Sequence, residues 1–284
     1  MNTVFFGPAG STDNLKSLGA KTTVQIPAAL KKMGLNAFEY QCGHGVSISA
    51  EASAAFGEAC KENGIRPSLH APYFISLSSV SEETRLKSLD HIIKSAAAVK
   101  NMGGNRIVVH SGSCGQISRA EALALASDTL KKAVVKMEEQ CLDDISVCPE
   151  VMGKINQLGT LDEVLTLCKI KDNFIPCIDF GHLNARTLGG LKNQSDFSEV
   201  LDKVENELGN ERMKSIHIHF SKIEYTDGGE KRHLTFEDTV FGPDFTFLAE
   251  EIVRRDMSPV IICESAGTQD IDAVSMKKVV ESLY

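Results

Sequence analysis

The chain has 284 residues, 42% of them hydrophobic, with no Trp and a formal net charge of −8. This length suits one large α/β domain spanning residues 1–284, and the acidic balance excludes a protein that coats nucleic acid through a broadly basic surface. No apolar run reaches membrane-spanning length, the N-terminus lacks a signal-peptide pattern, and the eight Cys form no Cys-x-x-Cys pair, so we expect a cytoplasmic protein with reduced thiols and no membrane partner.

Strand-like apolar runs alternate with amphipathic helical runs from end to end. Thr3–Phe6 reads as a first strand, and Thr22–Met33 as a helix closed by Gly34. Ala37–Gln41 is a second strand, followed by a helix near Ser49–Glu62 that stops at Asn63-Gly64. Pro67–His70 is a third strand, and a long helix over roughly Ser81–Met102 follows it. Asn105–His110 and Ile145–Glu150 are the fourth and fifth strands, with a helix at Ser118–Gln140 between them. A helix near Leu161–Cys168 leads to a sixth strand at Ile175–Asp179, and one near Asp196–Leu208 leads to a seventh at Lys214–His219. Phe245–Arg254 is a helix, Val260–Glu264 an eighth strand and Asp272–Leu283 a closing helix.

About eight βα units in a chain of this size predict a (β/α)8 TIM barrel. An open doubly wound sheet is the alternative, but no Gly-rich phosphate loop follows the first strand. The longest irregular stretch, Ser221–Pro243, carries Gly228-Gly229 and His233.

Six of the strand segments end in a metal-type ligand: His70, His110, Glu150, Asp179, His217 and Glu264. In a parallel barrel all strand C-termini open onto one face, so these residues converge in space. One His or Asp at a strand end is an ordinary structural residue, and Asp179 could cap the next helix. Several carboxylates brought together are a different matter, because repulsion and desolvation oppose them unless divalent cations are present. Imidazole with carboxylate suits Zn²⁺, Mn²⁺ or Fe²⁺. Glu150 is placed to bridge two ions, and His182 and His233 to hold a third.

Taken in order, the segments resemble those of the endonuclease IV family of Zn-dependent apurinic/apyrimidinic-site endonucleases. The carriers are His70-Ala-Pro-Tyr73-Phe, Val-Val-His110-Ser-Gly-Ser, Pro-Glu150-Val-Met-Gly-Lys154, Cys177-Ile-Asp179-Phe-Gly-His182, His217-Ile-His219-Phe-Ser-Lys222, Lys231-Arg-His233 and Cys-Glu264. The resemblance implies a TIM barrel that cleaves double-stranded DNA 5′ to abasic sites, using two or three Zn²⁺ ions. It assigns His70, His110 and Glu150 to a first ion, Glu150, Asp179, His217 and Glu264 to a second, and His182 and His233 to a third. Glu264 and Glu150 would be the catalytic carboxylates, with Glu264 nearest the nucleophilic water. Tyr73 would stack beside the abasic gap.

The chain departs from the family at three places, one of them His219-Phe220, where the family has Asn-Asp, so the support behind His217 differs. Lys231 stands where the family has an Asp ligand, and protonated Lys cannot bind a metal. The third ion is therefore either absent or held through another donor, for which Glu230, Asp227 and His219 are candidates, and Lys231 itself is a candidate phosphate contact. After the second strand the family has an Arg-containing loop, whereas this chain has Gln41-Cys-Gly-His44-Gly45, which makes His44 a candidate substrate contact. A single-metal sugar isomerase or epimerase is the second functional reading, and a barrel that binds metal without chemistry is the third. No heptad or apolar patch points to self-association, so a monomer without an obligate protein partner is expected.

Overall fold

The barrel wall is built from short Val-, Ile- and Phe-rich segments that become parallel strands in a computed structural model describing residues 3–115 and 117–284. Its strands are β1 (Phe5–Pro8), β2 (Ala37–Gln41), β3 (Arg66–His70), β4 (Arg106–Val109), β5 (Ser146–Pro149), β6 (Cys177–Asp179) and β7 (His217–Phe220). A hairpin of β8 (Ile223–Thr226) and β9 (Gly229–His233) follows, and β10 (Val260–Cys263) completes the wall. Two four-stranded parallel sheets result, in the orders β1-β10-β7-β6 and β2-β3-β4-β5.

Two narrow seams join these sheets. At one, Ala9 pairs with Glu39, and the Gly10 N–H donates to the Glu39 carbonyl at 2.9 Å. At the other, Glu150 pairs with Cys177, and the Val151 N–H donates to the Cys177 carbonyl at 3.0 Å. The eight parallel strands thus close into a (β/α)8 barrel. Gly7 is required at the first seam, because a Cβ there would lie 1.9 Å from the Ala37 carbonyl oxygen.

Helices follow the strands, and their starts are chemically defined. Ser49, Ser81, Ser118 and Thr160 each accept a backbone N–H three residues on, at the heads of Ala50–Asn63, Glu82–Asn101, Arg119–Glu139 and Leu161–Cys168. Each such cap contributes on the order of 1 kcal/mol. The buried core is aliphatic with a few Phe, among them Phe38, Phe56, Phe180, Phe197 and Phe220. All eight cysteines are free. Among the described residues no helix is long and apolar enough to cross a membrane.

Local features differ from the sequence reading, among them short helices at Asp13–Ser17 and Asn210–Lys214, the latter taking up Lys214 so that the seventh strand starts only at His217. The expected Thr22–Met33 helix is a 3-10 turn, Thr23–Gln25, running into Ile26–Lys32, because Pro27 suits a helix start. A helix, Phe180–Arg186, follows β6 without a loop, capped by the Asp179 side chain. The stretch Ser221–Pro243, read as irregular, contains the β8–β9 hairpin, in which pairing shifts by one residue between Glu224 and Tyr225.

Candidate metal centre

The strand ends bring three groups of donors to one mouth of the barrel. His70 closes β3, His110 follows β4 and Glu150 follows β5. Glu150 Oε2 lies 2.9 Å from His110 Nε2 and 3.3 Å from His70 Nε2. A second group contains Glu150, Asp179, His219 and Glu264, and a third His182, Glu230 and His233. Within each group the donor atoms lie within 4.8 Å of one another. That spacing matches ligands around one ion, since Zn–N and Zn–O bonds are roughly 2.0–2.2 Å.

Glu150 joins the first two groups. Its Oε2 faces His70 and His110, while its Oε1 lies 3.1 Å from His219 Nδ1. Asp179 divides its oxygens too. Oδ1 accepts the His182 N–H at 2.7 Å, capping the helix that starts there. Oδ2 is buried with no hydrogen-bond partner, and it lies 3.2 Å from His182 Nδ1. A buried carboxylate oxygen left unbonded is costly in a structure that otherwise satisfies its polar groups. A cation between Asp179, Glu150, His219 and Glu264 removes that cost, and the donor chemistry suits a borderline transition ion. The residues therefore fit a metal.

The buried carboxylates and imidazoles of these groups shift one another strongly. Burial disfavours a charged His70, but the adjoining Glu150 carboxylate overrides it and raises the imidazole to about 9. Burial likewise opposes the charge on His182, and Asp179 and Glu150 lift it to about 10. Burial opposes the charge on His219 as well, but Cys177, Glu264 and Glu39 outweigh it and raise the imidazole well above its ordinary range. Glu150 is held well below the usual carboxylate range: burial works the other way, but His110, His182 and His219 outweigh it.

His217 occupies a different level. It faces the barrel interior from β7, as His219 does, since residues two apart share a face. The register sets His217 beside Cys177 and His219 beside Asp179, at the level of the donor groups. His217 is fully buried, 2.9 Å from Glu39 Oε2, and burial presses its imidazole down to about 4. His70, His110, Glu150, Asp179, His182, His233 and Glu264 thus converge with His219 in the ring, whereas His217 lies one layer beneath, in a separate donor group with Cys177 and His219.

Glu39 is the residue the sequence reading missed. It is wholly buried on β2, 2.9 Å from His217 and 3.0 Å from His219. An acid inside the run Ala-Phe-Glu-Tyr was the available signal, because a buried carboxylate requires partners.

The third group draws its carboxylate from Glu230, whose Oε2 lies 3.4 Å from His182 Nε2 and whose Oε1 lies 3.9 Å from His233 Nε2. Gly153 makes room for it: a Cβ there would lie 2.6 Å from Glu230 Cβ and 2.9 Å from His182 Cδ2. Lys231 points elsewhere, pairing with Glu224 at 2.6 Å on the exposed side of the hairpin.

Above the donors lies a cleft of about 410 Å³ lined by Gln41, Gly43, Tyr73, Met152, Lys154 and Gln157, with the donor side chains at its base. Tyr73 is exposed at its rim and meets His44 edge-on, with ring centroids 5.8 Å apart. His44 and Lys231 lie outside the residues that line it. Arg186 donates to the carbonyls of Met152, Lys154, Ile155 and Gln157, and Arg119 to those of Ile155 and Gln157. Together they fix the loop that carries Lys154.

The sequence pattern of the xylose isomerase-like TIM barrel family matches residues 27–282. The chain belongs to this family. Its relatives include an uncharacterized protein of Methanocaldococcus jannaschii, 34% identical over 97% of this chain and 96% of the relative. A probable endonuclease 4 of Persephonella marina is 24% identical over 83% of this chain and 82% of that protein. Among solved structures, endonuclease IV from Thermus thermophilus aligns with a TM-score of 0.68 at 17% identity, covering 99% of both chains. A D-tagatose 3-epimerase-like protein aligns with a TM-score of 0.72 at 22% identity, covering 98% of this chain and 96% of that one. These structural likenesses establish the xylose isomerase-like barrel fold and extend to both endonucleases and sugar epimerases.

Proposed function

We propose that this xylose isomerase-like barrel is a metal-dependent phosphodiesterase that cleaves DNA on the 5′ side of abasic sites. The observation that carries the reading is the joined donor set. Glu150 links His70 and His110 to Asp179, His219 and Glu264, and His182, Glu230 and His233 stand beside them. Two or three Zn²⁺ ions, or Mn²⁺ or Fe²⁺, would supply Lewis-acid charge neutralisation at the phosphate and acidify the attacking water.

The protein's own groups then have defined tasks. His70, His110 and Glu150 would hold one ion, and Glu150, Asp179, His219 and Glu264 a second. Glu150 and Asp179 are sealed from solvent, while Glu264 keeps 16% side-chain exposure. Glu264 is therefore the carboxylate of its group that can take a proton from water in the cleft. Lys154 offers a cation to the phosphodiester, and Tyr73 an aromatic face to a base beside the gap.

A single-metal sugar isomerase or epimerase needs only the group Glu150, Asp179, His219 and Glu264. That reading leaves His70, His110, His182 and His233 without a task, which is why we rank it second. A duplex oligonucleotide with one abasic site separates the two. The zinc-loaded protein should nick it on the 5′ side and should not epimerise ketohexoses. Full metal loading without incision would reject the endonuclease reading.

A further inference from the structure

Two of the imidazoles at the centre share one orientation, and a third matches it. His70 Nδ1 lies 2.7 Å from the Ala71 carbonyl oxygen, and His182 Nδ1 lies 3.0 Å from that of Val151. A carbonyl only accepts, so Nδ1 carries the hydrogen and Nε2 is left for the donor ring. His233 follows the pattern, with Nδ1 2.8 Å from the Ser221 hydroxyl and Nε2 toward Glu230.

His219 is reversed. Its Nδ1 faces the ring, 3.1 Å from Glu150 Oε1 and 3.5 Å from Glu264 Oε2. For Nδ1 to ligate an ion there, the remaining hydrogen must sit on Nε2, deep inside the barrel. Glu39 stands there, its Oε1 3.0 Å from Nε2 at ion-pair distance but outside hydrogen-bond geometry, so it is the carboxylate's charge that favours a hydrogen on that nitrogen. Glu39 is itself immobilised: Ser68 Oγ donates to Oε2 at 3.0 Å, Gln41 Nε2 donates to Oε1 at 3.2 Å, and His217 Nε2 stands 2.9 Å from Oε2. A fully buried carboxylate costs several kcal/mol in desolvation, so packing alone does not account for it.

We propose that Glu39 is a positioning residue: it fixes the hydrogen of His219 on Nε2, so that Nδ1 of His219, and neither nitrogen of His217, completes the group of Glu150, Asp179 and Glu264. His217 braces Glu39 from below. A carboxylate behind a ligating imidazole sets the tautomer and ring angle and raises ligand basicity. The inference rests on the metal reading of the site, and it is independent of the substrate.

Chelator-competition titration with Zn²⁺ on the full chain, with elemental analysis and thermal unfolding alongside, tests it. His219→Asn should lose one ion equivalent, and His217→Asn should keep the wild-type number. Glu39→Ala should keep the number but bind one ion about 10–100-fold more weakly. Glu39→Gln, which preserves shape and an accepting oxygen, should recover part of that loss. Long-range proton–nitrogen NMR of the loaded protein should show the His219 hydrogen on Nε2. Equal affinity in Glu39→Ala and wild type overturns the proposal, as does loss of the ion in His217→Asn but not in His219→Asn. An ion lost on Cys177→Ser also overturns it, because Cys177, His217 and His219 would then hold that ion themselves. A wild-type chain that binds no divalent ion rejects the metal reading too, which distinguishes that failure from the failure of Glu39 alone.

Discussion

Glu150 Oε2 lies 2.9 Å from Nε2 of His110, and the other oxygen of the same carboxylate turns toward His219. One residue thereby belongs to two donor groups. Glu150→Ala should weaken binding in both, by more than the roughly 10–100-fold that a supporting partner contributes. Elemental analysis after dialysis should find at least one ion equivalent missing. A full complement of ions in this variant would contradict the bridging role.

Glu230 and Lys231 are neighbours with opposite expected effects. Glu230→Ala should remove the ion held with His182 and His233 and leave the other two groups loaded. Lys231→Ala should leave metal content unchanged, because Lys231 pairs with Glu224 on an exposed face. Its effect on stability should stay within about 0.5 kcal/mol. Metal counting on the two variants is decisive, and loss of an ion in Lys231→Ala would count against the assignment.

Metal removal should destabilise the fold measurably. An ion present at a thousand times its Kd stabilises the native state by about 4 kcal/mol. For a domain of this size that is a fall of roughly 10 °C in Tm on adding chelator. Differential scanning calorimetry with and without Zn²⁺ reads the shift, and coincident traces would mean that no ion binds the native chain tightly.

A pH dependence is expected far from the metal centre. Glu251 is 1% exposed and accepts from Arg254 Nε at 3.0 Å, Arg255 Nε at 2.8 Å and Gln194 Nε2 at 3.1 Å. Burial works to raise this carboxyl, but the two guanidinium groups outweigh it and the net shift is downward. A lowered folded value gives stability that is present above the unfolded carboxylate range and is lost as pH falls through the folded value. Glu251→Gln should therefore cost roughly 1–3 kcal/mol at neutral pH. The gap to wild type should close below about pH 4. Thermal unfolding across pH checks this, and a gap that stays constant down to about pH 3 would refute the pairing as its source.

The barrel was legible because its units repeat: apolar runs ending in His70, His110, Glu150, Asp179 and Glu264 can share a mouth only if the strands are parallel. His217 and His219 were not separable by pattern. They share a face, and only the register with Cys177 and Asp179 fixes which of them reaches the ring. Glu230 was hidden by a similar ambiguity. A regular strand would put Lys231 and His233 on one side, but the one-residue shift between Glu224 and Tyr225 disrupts that alternation and leaves Glu230 and His233 facing His182. Glu39 was overlooked because it sits mid-strand rather than at a strand end, and its importance lies in what surrounds it.

The two seams of the barrel have a mechanical meaning. Glu39 pairs across one and Glu150 across the other. His70, His110 and Glu150 all lie on or just after strands of the β2-β3-β4-β5 sheet, so one half-barrel can grip its ion alone. The group of Glu150, Asp179, His219 and Glu264 takes one donor from that half and three from the other. An ion there would act as a clasp, tying the two half-barrels together across the Glu150 seam.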